Sequence, residues 1–158
     1  MFNWLIVLIS FFFMELVAWF THKYVMHGLL WSWHQDHHVN QGGILEKNDR
    51  FFLVFAIPSA SLFIVGALSS YVLPWYIGLG ILLYGIAYFF VHEIFIHQRI
   101  KIFKRTQNIY LKGIRRAHKV HHKHLTKHNG ECFGMLWVPW RYFKEQRATK
   151  STRNLMEV

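Results

Sequence analysis

A chain of 158 residues has the length of one domain; it is 53% hydrophobic and 18% aromatic and carries a formal charge of +10. Its apolar and charged residues are segregated along the sequence. That excludes a soluble domain with charge spread around a compact core and indicates an all-α integral membrane bundle with one basic aqueous side.

Three apolar stretches follow in chain order, at about 3–20, 51–72 and 74–95. Each supplies close to the roughly 20 residues that a helix needs to cross a hydrocarbon core of about 30 Å. The first lacks a positively charged start and is followed by Thr21 and His22 instead of a small-residue cleavage site, so it is expected to be a retained span. Pro58 predicts a kink in the second. Ser69, Ser70 and Pro74 predict a tight turn that makes a hairpin of the second and third. All 18 Lys and Arg fall at Lys23, Lys47, Arg50 or from Arg99 onward. The positive-inside rule then makes 21–50 and 98–158 cytoplasmic, with the N-terminus and the 69–74 turn outside. The expectation is one domain over 1–158, with three to four membrane helices under a cytoplasmic helical cap.

Twelve histidines are dispersed between residues 22 and 128, and ten of them form a pattern that occurs twice. His22 and His27 are followed by His34, His37 and His38; His92 and His97 are followed by His118, His121 and His122. At about 100° per residue, positions i, i+3 and i+4 lie on one face, so each triplet is expected to converge. An i, i+5 pair is turned by roughly 140° on a straight helix. Such a pair serves two adjacent metals, or its helix loosens as it leaves the bilayer. Either way a two-metal site shared by both halves is expected, and His124 and His128 stand outside it. Bis-histidine haem is the weaker fit, because one axial pair leaves the triplets unused. Imidazole suits zinc, copper, iron and nickel. A zinc ion needs three or four ligands rather than ten and has no redox chemistry, which favours iron beside a lipid-soluble substrate. Zinc can replace iron in purified protein, following the order of divalent affinities.

The stretches His22-Lys23-Tyr24-Val25-Met26-His27-Gly28, Trp33-His34-Gln35-Asp36-His37-His38, Asn48-Asp49, Val91-His92 to His97-Gln98-Arg99 and Ala117-His118-Lys119-Val120-His121-His122 resemble the histidine boxes of the fatty-acid hydroxylase and sterol desaturase superfamily of membrane di-iron enzymes. They are most similar to those of the bacterial β-carotene hydroxylases. Phe133-Gly134 followed by Pro139 resembles that family's closing loop, and the resemblance covers about residues 15 to 140. It implies two iron ions, O2 as co-substrate, and an oxidoreductase that hydroxylates carbon 3 of each β-ionone ring, giving β-cryptoxanthin and then zeaxanthin. A bacterial inner membrane with the site on its cytoplasmic side is implied too. No GxGxxG or CxxC motif is present to hold a flavin or an iron–sulfur cluster. An external donor of the ferredoxin type is therefore implied, and no nucleic-acid partner. A fatty-acid or sterol hydroxylase is the alternative within the enzymes. A membrane metal transporter is the alternative outside them, though it would place ligands near mid-span.

Glu15 and Glu93 are acids within or at the edge of a span, where such groups are expensive unless paired or functional. Both, with Asp36, are candidates to orient a ligand imidazole. Asn129 and Glu131 are expected in a turn around Gly130. Cys132, the single cysteine, cannot form an intrachain disulfide and is expected to pack as a small residue. Trp75, Tyr76, Trp137, Trp140 and Tyr142 are expected at the membrane interface. Phe89 and Phe90 are expected to face lipid, or to line a polyene channel.

Overall fold

The computed structural model describes residues 3–39, 45–103 and 105–156. Residues 40–44 of the expected cytoplasmic segment 21–50, and Lys104, Glu157 and Val158 of segment 98–158, lie outside the described residues. Every regular element among the described residues is a helix, with no strand. Helix α1 (Trp4–Phe20) runs without interruption into a π-helical stretch, Thr21–Leu29. Gly28 leaves helical backbone there, at φ −114° and ψ −105°, and the chain turns into α2 (Trp31–His38). A 3₁₀ turn, Lys47–Phe52, leads into α3 (Leu53–Leu68), and α4 (Leu73–Tyr88) ends in a second π-helical stretch, Phe89–Ile96. Helices α5 (Ile109–His121) and α6 (Arg141–Met156) close the chain.

Three of these continuous helices are long and apolar enough to cross a membrane: Trp4–Leu29, Lys47–Leu68 and Leu73–Ile96. Pro58 lies inside α3 without ending it, and Pro74 starts α4, where its missing N–H costs nothing. Helix α4 packs against both α1 and α3. Small residues allow this close approach. A Cβ at Gly80 would stand 2.6 Å from Ser10 Cβ and from Val7 O, while Gly78 and Gly85 face α3 at Ser59 O and Phe55 Cβ. Ser59 Oγ donates to Gly78 O at 2.9 Å. Met14, Ala18, Phe55, Ile81 and Tyr84 fill the space between the spans. Leu5, Leu8, Phe12, Phe13, Ile57 and Ile64 remain exposed on their outer faces, as side chains solvated by lipid do.

A cap of α5 and α6 packs over the ends of α1 and α4. The α5 N-terminus is capped by Asn108, whose Oδ1 accepts Leu111 N–H at 3.1 Å. Its buried face carries Gly113, Ile114, Ala117, His118 and His121, so apolar packing and site histidines share one stripe. Ile114 and Ala117 pack with Phe95, Ile96, Met135, Val138, Tyr142 and Phe143. Arg115 stacks on Phe95 and donates to its carbonyl at 2.7 Å, tying α5 to the end of the third span. Tyr142 is therefore core and not an interface anchor, whereas Trp137 and Trp140 are exposed.

Candidate metal centre

The ten pattern histidines meet at the ends of α1 and α4, under α2 and α5, as two clusters. His22, His27, His34, His38 and His121 form the first, with one donor nitrogen of each within 4.8 Å of all the others. His37, His97, His118 and His122 form the second in the same way, and His92 joins them with its Nε2 3.2 Å from His37 Nε2. His124 and His128 belong to neither.

Two local features explain the grouping. The helices do loosen where they leave the apolar zone. In a π-turn an i→i+5 bond brings residues five apart onto nearly the same face, and His97 N–H bonds to His92 O at 2.9 Å. His22 and His27 are thus able to join one cluster, as are His92 and His97. The triplets, however, do not each converge on one point. Positions i+3 and i+4 lie about 100° apart, on either side of position i. His34 and His38 stay with the first span's pair while His37 turns to the second cluster; His118 and His122 stay with the third span's pair while His121 turns to the first. The duplicated pattern is exchanged at its middle histidine.

Hydrogen bonds settle which nitrogen faces inward. His22 Nδ1–H donates to Phe133 O (3.0 Å), His34 Nδ1–H to Asn48 Oδ1 (2.7 Å) and His121 Nδ1–H to Glu131 O (2.8 Å). His37 Nδ1–H donates to Glu46 Oε2 (2.7 Å) and His92 Nδ1–H to Glu93 Oε1 (2.6 Å). Each of these rings then presents an unprotonated Nε2 to its cluster. His22 Nε2 lies 3.1 Å from His34 Nε2, and His37 Nε2 lies 3.2 Å from His92 Nε2, so lone pair faces lone pair with no proton between. A second proton on the ring is no remedy. Burial pushes His34 down to about 2, His121 to about 3 and His38 to about 4, and holds His37 and His118 well below the ordinary imidazole value. A shared cation does resolve the contact. With metal–imidazole bonds of about 2.1 Å, donors at right angles lie about 3 Å apart. The observed Nε2 pairs, from 2.9 Å for His97 and His118 to 3.2 Å for His27 and His121, have that spacing. The donor set therefore fits a metal in each cluster.

Of the three acids expected to orient imidazoles, only Glu93 touches one. Asp36 Oδ2 accepts Lys47 N–H at 2.7 Å and holds the 3₁₀ turn under α2. Glu15 lies along α1 from His22 but bonds to no histidine. Its Oε1 accepts the N–H groups of Met135, Leu136 and Trp137 at 2.9, 2.9 and 3.0 Å, and its Oε2 accepts Tyr84 O–H at 2.6 Å. It pins the loop whose Phe133 and Glu131 carbonyls take His22 and His121. Glu46 went unpredicted because it lies between the motif stretches, after His38 and before Asn48, and belongs to none of them. Asn48 is part of the motif, but only the folded chain sets it against His34. Arg99 draws the acids together, with its guanidinium 2.6 Å from Glu93, 3.0 Å from Glu46 and 2.8 Å from Asp49.

A sequence profile of the fatty acid hydroxylase family matches residues 7–144, which include all ten clustered histidines. The chain belongs to that family. Among its relatives, a β-carotene hydroxylase of Pseudescherichia vulneris is 40% identical over 136 residues, covering 86% of this chain and 77% of that protein. A β-carotene hydroxylase of Paracoccus sp. (strain N81106 / MBIC 01143) is 39% identical over 138 residues, 87% of this chain and 85% of that one. The chloroplastic β-carotene 3-hydroxylase 1 of Arabidopsis thaliana is 35% identical over 129 residues, 80% of this chain and 41% of that protein. No solved structure matches. In this family member an apolar cavity of about 400 Å³ adjoins the centre, walled by Ala18, Met26, Phe55, Tyr88 and Phe89 and reaching Asn48 and Glu93. Phe89 lines it, while Phe90 is exposed outside.

Proposed function

We propose that this chain is a β-carotene 3-hydroxylase that uses O2 to convert β-carotene to β-cryptoxanthin and then zeaxanthin. The observation that carries the reading is the pair of histidine clusters at the ends of the apolar helices, five in the first and four joined by His92 in the second, in a chain close to 40% identical to proteins named β-carotene hydroxylase. Two iron ions held by His22, His27, His34, His38 and His121, and by His37, His92, His97, His118 and His122, would supply O2 activation for insertion of one oxygen atom into a ring C–H bond. The chain's own residues prepare that chemistry. Phe133 O, Asn48, Glu131 O, Glu46 and Glu93 hold Nδ1 protons, which fixes each ring's tautomer and aims its Nε2. The cavity beside Asn48 and Glu93 offers an apolar substrate a lodging at the depth of the site. A ferredoxin-type protein is the reading's electron donor, since two electrons per turnover come from outside the chain. A metal transporter is disfavoured because both clusters lie at one end of the spans.

Expression in cells that make β-carotene tests the function directly. The expected pigments are a mono-hydroxylated product early and zeaxanthin later, with the hydroxyl oxygen drawn from labelled O2. Water-derived oxygen, or acyl products without xanthophyll, would sink the reading, the second in favour of a fatty-acid or sterol hydroxylase.

The same reading places the centre on the cytoplasmic side of a bacterial inner membrane. Single cysteines at Ser70 and Lys150 should then be labelled from opposite faces, Ser70 from outside and Lys150 from the cytoplasm. Labelling of both from one face contradicts a three-span topology with the centre inside.

A further inference from the structure

We propose that the two clusters are unequal: the second, His37 with His92, His97, His118 and His122, fills first and holds its metal more tightly, because Glu46 and Glu93 back its imidazoles with negative charge. The inference rests on the metal-binding reading above and concerns how these residues divide the work.

The Nδ1 partners differ in kind between the clusters. In the first, the described partners are neutral: the Phe133 carbonyl, the Asn48 amide oxygen and the Glu131 carbonyl. In the second, they are carboxylates, with short charge-assisted distances of 2.7 Å at Glu46 and 2.6 Å at Glu93. A carboxylate draws the Nδ1 proton toward itself, which makes Nε2 a stronger donor, and it sets negative charge one ring away from the cation. Carbonyl and amide oxygens orient a ring without adding that charge.

Arg99 keeps the arrangement in place. Glu46 and Asp49 come from the segment before α3 and Glu93 from the π-helical stretch after α4, so three acids from two segments would repel one another if left alone. The guanidinium ion-pairs with all three, with Nε 2.6 Å from Glu93 Oε2 and Nη2 3.0 Å from Glu46 Oε2. Toward Asp49 it makes a two-pronged contact at 2.8 and 3.1 Å. Its backbone is set by Gln98, at φ 56°, and by the bond from Arg99 N–H to Glu93 O at 3.0 Å. Glu46, Glu93 and Arg99 are thus positioning residues for the second cluster, and nothing equivalent stands behind the first among the described residues.

Titration of metal-free protein in detergent with Co²⁺, followed by its visible absorption and by chelator competition, tests this. The wild type should load in two phases, with His118→Ala removing the tight one and His22→Ala the weak one. Glu46→Gln and Glu93→Gln keep an acceptor oxygen and remove the charge. Each should weaken the tight phase by about 10–100-fold. Asn48→Asp places a carboxylate behind His34 and should tighten the weak phase, a gain that a misfolded variant cannot imitate. Equal phases in the wild type, loss of the tight phase in His22→Ala, or no change in either Glu→Gln variant would overturn the inequality. Absence of any Co²⁺ binding would instead overturn the metal reading itself.

Discussion

His37→Ala should empty the second cluster and His121→Ala the first, each against the grouping that its sequence neighbours suggest. His37 sits between His34 and His38 in chain order, yet its Nε2 faces His92 at 3.2 Å. His121 sits beside His122, yet its Nε2 faces His27 at 3.2 Å. Metal content should fall from about two ions per chain toward one in either variant, and product should fall by well over 100-fold, since losing a ligand costs more than the roughly 10–100-fold cost of losing its outer partner. Pairing the substitutions identifies the cluster. His37→Ala with His118→Ala should spare one ion, whereas His37→Ala with His34→Ala should lose both. Elemental analysis of purified protein decides it. If His37→Ala with His34→Ala spares an ion, the exchange of middle histidines is refuted. His124→Ala and His128→Ala, outside both clusters, should keep both ions.

Glu15→Ala should be the most destabilising single change away from the histidines. The side chain is buried within the first span and accepts four hydrogen bonds, three of them from consecutive backbone N–H groups of the loop that follows Gly134. Removing it strands those donors in an apolar layer at about 1–3 kcal/mol each, of which partial relaxation recovers some. A net loss of about 3–5 kcal/mol is expected. Thermal unfolding in detergent measures it. Glu15→Gln retains one oxygen for the three N–H groups and an amide for Tyr84, and its loss should be clearly smaller. Because the pinned loop presents the Phe133 and Glu131 carbonyls to His22 and His121, Glu15→Gln should loosen metal at the first cluster more than at the second. A uniform loss from both clusters would show that Glu15 acts only on global stability.

The ten histidines were legible without coordinates because their pattern depends on local spacing, and the family was legible through the resemblance of the boxes that carry them. Apolar runs of spanning length, charges confined to the flanking segments, and a pattern that recurs after the first and third runs need no folded chain to be seen. The two options left open for the i, i+5 pairs were also local, and the π-turns chose between them because loosening the helix end aligns both rings at once. What the tertiary structure alone decided is the partnership of groups distant in sequence. His121 joins His22 across 99 residues of chain because α5 lies over both helix ends and its last turn points two ways. Glu15 shows the same limit. Its place in a span marked it as a candidate to orient a ligand imidazole, but a carboxylate in an apolar layer goes to the densest set of unpaired donors. Those donors belong to a loop about 120 residues later. Helical periodicity tells which side chains share a face of one helix; which face a loop or second helix comes to cover is set by long-range packing, and that information is spread over the whole chain.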